Sequence, residues 1–472
     1  MNSAKIFFGS EEATKDSLSE RKSPYNQRVV SYAPVCNAED TKKALNIAKA
    51  ATKAAKVSTL SQRCNWLLDV ANNLAINKED IAMTITDEVG KPLAFSRVEV
   101  DRAIETLTLS AETMRTMGGE TINTDAMASG KKTMSFFRRE PVGVVAAITP
   151  FNFPLNLVAH KLGPALVAGN TVVLKPTPEA PLTAYKFAKL FIESRFAVKD
   201  ALSVVYGDVE VGSTLVSSDI PRVISFTGSV PVGEIITRSA GIKKIGLELG
   251  GNAATYIDKS ADLDLAASRC ALGAFVNSGQ VCISLQRIYV DAEVYDEFAS
   301  KIAQETKKLK VGSPYDEETF MGPLIDEEAC NRALGWVQSA IDEGARALLE
   351  PKVEGRMFYP CVMADVRDDM AIVCEEVFAP IVSLVKVDGF DDALPRMNNS
   401  PYGLQFSVFT NNLKLTNRAI DELEAGGVVI NDMPTLRFDI QPYGGVKLSG
   451  VGREGPKFAI EEMTEIKSIV IC

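Results

Sequence analysis

Three side chains stand in local settings where each could do chemistry. Cys282 closes the run Asn277-Ser278-Gly279-Gln280-Val281-Cys282. A cysteine in a glycine-containing turn is open to backbone N–H groups, which would lower its pKa from the free value of about 8.5 and make the thiolate available. A buried inert thiol is the competing account, because free cysteine packs as a small hydrophobe. Glu248 heads Glu248-Leu249-Gly250-Gly251-Asn252, and Asn152 lies within Thr149-Pro150-Phe151-Asn152-Phe153-Pro154. A strand-end carboxylate in a dry pocket has a raised pKa suited to activating water, and a side-chain amide donates to a developing oxyanion. Seen singly, each also reads as a capping glutamate or a turn asparagine.

The elements that must position these residues follow from periodicity. The first hundred residues read mainly as helices, for example Asp40 to Lys56 and a run with Leu60, Cys64, Leu67, Leu68 and Ala71 at helical spacing. From about residue 140, β-rich runs alternate with helix-length segments: Val142 to Ile148, Thr171 to Leu174, Leu202 to Val205, Val223 to Phe226 and Lys244 to Leu247. This is an α/β pattern, a doubly wound parallel sheet of about five strands, with Asn152 and Glu248 at carboxyl ends where such sheets build sites. A second βα series runs through Ala253 to Ile257, Arg287 to Val290, Ile381 to Val385, Phe406 to Phe409 and Val428 to Ile430, and predicts a second α/β domain. Between the opening helices and the first sheet, Thr133 to Phe137 predicts a strand outside the main sheet, available to pair elsewhere, including with a neighbouring subunit.

Composition excludes several classes. The 472 residues exceed the roughly 250–300 at which single cores stop growing, so at least two domains are expected. Lys and Arg total 51 against 61 Asp and Glu, a net charge of −10, which disfavours nucleic acid as a partner. Met1 to Ser10 lacks the basic start and apolar stretch of a signal peptide, and the most apolar region, Val142 to Leu174, is broken by Pro150, Pro154 and Pro164. A cytoplasmic protein is expected. The eight cysteines form no CxxC pair and read as reduced thiols, and the single histidine, His160, makes a zinc site improbable, so no metal is expected.

Two glycine motifs compete as phosphate loops. Gly450, Gly452 and Gly455 spell GxGxxG, but only 17 residues follow Gly455, too few for the second strand and distal acid of a dinucleotide-binding βαβ unit. The better candidate is Ser225-Phe226-Thr227-Gly228-Ser229, which ends a predicted strand and opens a helix with Pro231 in its first turn and Gly233 beyond. Ser229 can cap that helix and Gly228 lets backbone approach a pyrophosphate at the helix amino end; an ordinary capped turn is the alternative.

Taken together, six segments resemble the aldehyde dehydrogenase superfamily in sequence, order and spacing across essentially the whole chain: Pro150-Phe151-Asn152-Phe153-Pro154, Leu174-Lys175-Pro176, Phe226-Thr227-Gly228-Ser229, Glu248-Leu249-Gly250-Gly251, Gly279-Gln280-Val281-Cys282 and Glu375-Glu376-Val377-Phe378. The resemblance implies that Cys282 attacks the aldehyde, that Asn152 and the Cys282 backbone N–H hold the oxyanion, and that Glu248 activates water to hydrolyse a thioester. It implies NAD or NADP as cofactor, with Lys175 and Glu376 at the riboses, Gly228 and Ser229 at the pyrophosphate, and Thr149, Pro150, Gly233 and Phe378 completing the cofactor site. The implied architecture is a Rossmann-type cofactor domain (1–123 and 141–247), a catalytic domain (248–435) and a small bridging or oligomerisation element (124–140 and 456–472), assembled as a homodimer or homotetramer.

The chain departs from the family at instructive places. Many NAD-using members carry a glutamate three residues after the lysine, where its carboxylate binds ribose hydroxyls and repels a 2′-phosphate; here that position is Pro178, with Glu179 beside it. NADP is therefore expected to be accepted at least as well as NAD. Ala379 stands where the family often has glycine, a change expected only to adjust the loop. Pro434-Thr435-Leu436-Arg437 and Gln441-Pro442-Tyr443-Gly444-Gly445 are similar to members acting on lactaldehyde and other small hydroxylated or anionic aldehydes. Arg437 could pair an anionic substrate bidentately, or make a surface or interface salt bridge. His160 falls near the family's substrate channel, or is a histidine packed for shape and hydrogen bonding. Succinic semialdehyde is an alternative substrate. An acylating, coenzyme A-dependent dehydrogenase would use the same thiol but would not need Glu248, and a non-catalytic binding protein would have no reason to keep Cys282, Asn152 and Glu248 together.

Overall fold

Two sheets built on parallel strands organise the chain in a computed structural model that describes residues 2–472. The first runs in the order Glu11–Ala13, Ile6–Phe8, Leu202–Val204, Thr171–Lys175, Val144–Ile148, Pro221–Thr227, Lys244–Glu248 and Gly450–Val451. The five strands from Leu202–Val204 to Lys244–Glu248 are parallel, as periodicity predicts. The short strands at both edges add antiparallel. Val144–Ile148 and Thr171–Lys175 are buried at every position, the pattern of parallel strands with both faces covered. Chain order reverses between Val144–Ile148 and Pro221–Thr227, which places a switch-point crevice beside Thr149–Asn152 and Thr227–Ser229.

The second sheet has the order Arg346–Leu349, Cys361–Ala364, Ile381–Val387, Leu285–Asp291, Ala253–Ile257, Gln405–Phe409 and Gly427–Ile430, parallel except at its first pair. Its apolar residues form clusters separate from the one that surrounds the first sheet. The opening segment holds the expected helices, Ala38–Val57, Leu60–Ile76, Lys78–Val89 and Leu93–Thr116. Before them come four strands that the helical reading of this region does not anticipate. Glu11–Ala13 and Leu18–Lys22 are largely exposed and polar, so no apolar alternation marks them.

Met134–Pro141, the strand expected outside the main sheet, pairs antiparallel with Thr464–Ile471 from the same chain in a two-stranded ribbon. The GxGxxG glycines form a turn instead of a nucleotide loop. Gly450, Gly452 and Gly455 all have positive φ, and a Cβ on Gly450 would collide with the Leu247 carbonyl on the adjacent strand. Among the described residues no helix is long and apolar enough to cross a membrane.

Candidate active site

The nucleophile turn is held in an unusual conformation. Asn277, Ser278 and Gly279 are all left-handed, with φ of 51°, 57° and 73°, and each non-glycine residue so held costs on the order of 1–3 kcal/mol unless its surroundings enforce it. Those surroundings are specific. Ser278 Oγ donates to the Gly322 carbonyl at 2.8 Å, and Gln280 Oε1 accepts from the Ile325 N–H at 2.9 Å. A Cβ on Gly279 would strike the Ala379 carbonyl, and one on Gly251 would strike the Cys282 carbonyl. The turn therefore seats against the Glu248–Asn252 segment with no room for side chains between them.

Asn152 is tied to the same turn. Its Nδ2 donates to the Gln280 carbonyl at 3.0 Å, while its Oδ1 accepts from the Phe153 N–H at 3.1 Å. The second amide hydrogen is left for another acceptor. Glu248 ends the strand Lys244–Glu248, 6% exposed, with Oε2 buried and unpartnered. Burial, reinforced by the nearby Glu454 carboxylate, pushes the Glu248 carboxyl well above its ordinary range. Cys282, Glu248 and Asn152 line one cavity of about 740 Å³.

The thiol differs from the sequence expectation. Burial pushes Cys282 up to about 11, against the opposing influence of the Tyr443 hydroxyl and the Arg437 charge, and the Glu376 and Glu248 carboxylates raise it further. The reason is desolvation by the surrounding cavity wall, which outweighs what backbone dipoles and the neighbouring donors offer.

Several groups suited to a dinucleotide share the cavity. Pro150, Gly228, Ser229, Glu376 and Phe378 line it; Thr149, Lys175 and Gly233 lie outside the lining. Ser229 occupies the N-cap position of the helix Val230–Ser239, but its hydroxyl makes no capping bond, contrary to the sequence expectation. The first-turn N–H groups are thus left to an anion. Gly228 donates its own N–H to the Glu248 carbonyl at 3.0 Å, so its contribution is the missing Cβ, which would collide with the Phe226 ring. Thr149 Oγ1 and Thr227 Oγ1 are buried without hydrogen-bond partners. Lys175 ends its strand with its stem against Gly212, and burial lowers its ammonium while Asp208 and Glu179 oppose the shift. Glu376 accepts from the Gly251 N–H at 3.0 Å and is pushed up to about 7 by burial. Orphaned hydroxyls and an uncapped helix start fit a phosphate-bearing cofactor.

Arg437 also lines the cavity, but as part of a network. Its Nη2 donates to Glu454 Oε2 at 3.1 Å, its Nε lies 3.6 Å from Asp439, and its guanidinium stacks 3.7 Å from the Tyr443 ring centroid. Nε is buried and makes no hydrogen bond. His160 does not reach the cavity; its side chain is fully buried behind Arg437, with Nε2 3.0 Å from Asp439 Oδ1 and 3.2 Å from Arg437 Nη2. Only one of those partners can be satisfied by a given tautomer.

Sequence reasoning assigned no role to Tyr443, Glu454, Lys161, Arg102 or Asp439. Tyr443 Oη lies 2.8 Å from Cys282 Sγ, and Lys161, 1% exposed, reaches Glu454 at 3.4 Å and Ser225 at 3.1 Å. Arg102 grips Asp439 through two bonds of 2.9 and 2.7 Å. Tyr443 lay within a motif already marked; the others are brought in by long-range pairing that no local pattern signals.

A nucleophilic thiol, an oxyanion donor and a water-activating carboxylate beside an anion-binding helix start point to covalent capture of a carbonyl next to a dinucleotide, the chemistry of a thiol-dependent oxidoreductase. The aldehyde dehydrogenase family model matches residues 11–469, and the chain belongs to that family. It is an NAD(P)-dependent aldehyde oxidoreductase. The chain is 44% identical over 450 residues to the 3-sulfolactaldehyde dehydrogenase of Priestia aryabhattai, covering 95% of this chain and 93% of that one. It is 41% identical over 456 residues to the lactaldehyde dehydrogenase of Methanococcus aeolicus, covering 96% and 97%. The crystal structure of the NADP-dependent glyceraldehyde-3-phosphate dehydrogenase of Bacillus halodurans C-125 complexed with NADP superposes with a TM-score of 0.96 at 33% identity, covering 99% of each chain.

Proposed function

We propose that the protein oxidises a small 2-hydroxy or anionic aldehyde, lactaldehyde and its charged relatives being the leading class, to the carboxylic acid. The observation that carries this reading is the convergence of Cys282, Asn152, Glu248 and Arg437 on one cavity. The names of the two relatives above support the substrate class. Arg437, in the cavity wall, supplies a guanidinium for an anionic substituent or a hydroxyl.

In this mechanism the Cys282 sulfur, once deprotonated, forms a bond to the carbonyl carbon. The displaced electron pair becomes an oxyanion held by the Asn152 amide and the Cys282 backbone N–H. When bound, the dinucleotide supplies the acceptor for the hydride that leaves the thiohemiacetal carbon. The carbonyl then re-forms as a thioester on Cys282. Glu248 takes a proton from water, the hydroxide adds to the thioester carbon, and the C–S bond breaks to release the acid. A buried carboxylate with a raised pKa suits that proton transfer.

The cofactor pocket supports use of NADP at least as readily as NAD. Pro178 is exposed where a ribose-binding glutamate would stand, and the neighbouring Glu179 carboxylate is engaged by the Thr177 hydroxyl. We assign residues 1–123 and 141–247 to the cofactor domain, 248–435 to the catalytic domain, and 124–140 with 456–472 to the bridging element. Exposed Met134, Ile466, Val470 and Ile471 on the ribbon support a homodimer or homotetramer. Eight cysteines without a disulfide among them support a cytoplasmic location.

The direct test follows reduced-nicotinamide absorbance with lactaldehyde, sulfolactaldehyde, glyceraldehyde 3-phosphate, succinic semialdehyde and a simple alkanal, each with NAD and NADP, beside Cys282→Ala. Highest kcat/KM on a 2-hydroxy or anionic aldehyde, lost in Cys282→Ala, is the expected result. Best turnover of the unsubstituted alkanal would overturn the substrate class. A preference for NAD beyond about a hundredfold would overturn the cofactor reading.

A further inference from the structure

The Cys282 thiol, half-buried in the cavity wall, poses a problem that the residues above do not solve. Desolvation pushes the thiol up to about 11 and so disfavours the thiolate at neutral pH, yet the thiolate is the attacking species. Asn152 and Glu248 do not help: one serves the oxyanion, and the other is a carboxylate whose charge opposes a second anion.

Tyr443 stands where the sulfur needs a donor. Its Oη is 2.8 Å from Sγ, and its ring is buried with Val281, Ile283 and Leu404 beside the nucleophile turn. Its placement is fixed from outside the turn. Tyr443 and Glu454 exchange backbone hydrogen bonds, N–H to carbonyl, at 3.1 and 2.6 Å. The Glu454 side chain then holds Arg437, whose guanidinium stacks on the Tyr443 ring at 3.7 Å. One residue therefore sets the ring with its backbone and the cation with its carboxylate. A cation over a phenol face draws electron density from it and strengthens its O–H as a donor.

We infer that Tyr443 is a further catalytic residue, which donates its phenolic O–H to the Cys282 sulfur and stabilises the thiolate, with Arg437 reinforcing it through the ring. The inference rests on Cys282 being the nucleophile proposed above. Burial keeps the phenol protonated, so it donates and does not compete for the proton. In the resting thiol, either group can be the donor. Once the S–H proton has left to water and the electron pair stays on sulfur, only Tyr443 can donate. As that pair forms the C–S bond, the charge passes to the aldehyde oxygen, and the Tyr443 bond weakens while the Asn152 bond strengthens. The benefit is therefore confined to pH values below the thiol pKa. Above it the variant thiolate forms unaided and is slightly the better nucleophile, because nucleophilicity rises with basicity.

The test is alkylation of Cys282 by iodoacetamide in the full-length chain across neutral to alkaline pH, followed peptide by peptide by mass spectrometry. Exposed Cys472 in the same molecules serves as internal control. Tyr443→Phe keeps the ring and its stack but removes the hydroxyl. We expect its Cys282 alkylation at pH 7 to fall several-fold, the loss to hold across the range below the thiol pKa and to shrink only as pH approaches it, and Cys472 to be unchanged. An unchanged Cys282 profile, or a loss shared by Cys472, would overturn the inference and leave Tyr443 as packing. If the phenylalanine variant does not fold, Tyr443→Met, which also lacks the hydroxyl, carries the same expectation. Turnover retained in Cys282→Ala would instead defeat the nucleophile assignment, an outcome that the thiol titration does not depend on.

Discussion

Glu248 and Arg437 show how burial selects what a charged residue can do. Glu248 has no cation of its own within hydrogen-bonding distance, so its carboxyl is held above the ordinary range by desolvation and by Glu454. A general base works in its ionised form, so hydrolysis of the thioester should rise with pH along a limb lying above the usual carboxylate range and fall as pH drops through it. Glu248→Gln should preserve a first-turnover burst of reduced nicotinamide and lower steady-state turnover by about 10²–10⁴-fold; stopped-flow absorbance checks this. Loss of the burst as well would place Glu248 in thiol activation. Arg437 is held by Glu454 and Asp439 while still lining the cavity, which puts a guanidinium in the wall that an anionic substituent would meet. Arg437→Ala should therefore raise KM for an anionic aldehyde about tenfold or more and raise it less for a neutral one. Equal effects on both would remove Arg437 from recognition.

At the scale of elements, the loop bearing Asn152 is held by a carboxylate far away in sequence. The helix Asn156–Val167 begins without a side-chain cap of its own. Glu99, from the helix Leu93–Thr116, supplies one: its Oε1 accepts from the Leu155 and Asn156 N–H groups at 2.8 and 3.2 Å, and its Oε2 pairs with Lys91. Both charged side chains are 1% exposed, and the Lys91 ammonium lies 3.9 Å above the Phe153 ring. Glu88 does the same for the helix Pro181–Glu193 through the Leu182 and Thr183 N–H groups. Glu99→Ala strands Lys91 as a buried, uncompensated charge, and should cost about 3–5 kcal/mol in chemical denaturation. Because Asn152 lies on the loop that this cap anchors, kcat should fall as well; a loss under about 1 kcal/mol would show the pair to be incidental. None of this is legible locally. The central strands of both sheets announce themselves because burial on both faces leaves continuous apolar runs, and Cys282, Glu248 and Asn152 stand out because their turns have recognisable composition. Glu88 and Glu99 look like ordinary helix-surface acids, and Glu454 like a loop residue, because their partners lie many residues away. Cys282 misleads in another way: its glycine-containing turn suggests a lowered thiol pKa, and only the assembled cavity shows desolvation pushing it up.

The whole molecule is drawn together by its last thirty residues. Tyr443 bridges to Glu454, Gly450–Val451 adds to the edge of the first sheet beside Glu248, and Ile460 and Met463 enter that sheet's apolar core. The Met463 carbonyl accepts from Asn170 Nδ2 at 2.9 Å, and Thr464–Ile471 then pairs along the full length of Met134–Pro141. This path explains why groups from the end of the chain meet a carboxylate from its middle. It also leaves an apolar, two-stranded ribbon exposed, with Ile466, Val470, Ile471 and Met134 each more than half exposed. Residues 120–122 of the same chain bond the other edge of Met134–Pro141 but leave these apolar side chains uncovered, which supports the proposed second copy over them. Sedimentation of the intact protein should therefore give a dimer or tetramer, and deletion of Thr464–Cys472 should yield a smaller species by removing one strand of the ribbon. The same deletion spares the Tyr443–Glu454 bridge, so Cys282 should keep its alkylation profile even as the assembly is lost. An intact chain sedimenting as a monomer would defeat the oligomer assignment, whereas a truncated chain with an altered thiol profile would show that the site depends on the ribbon as well.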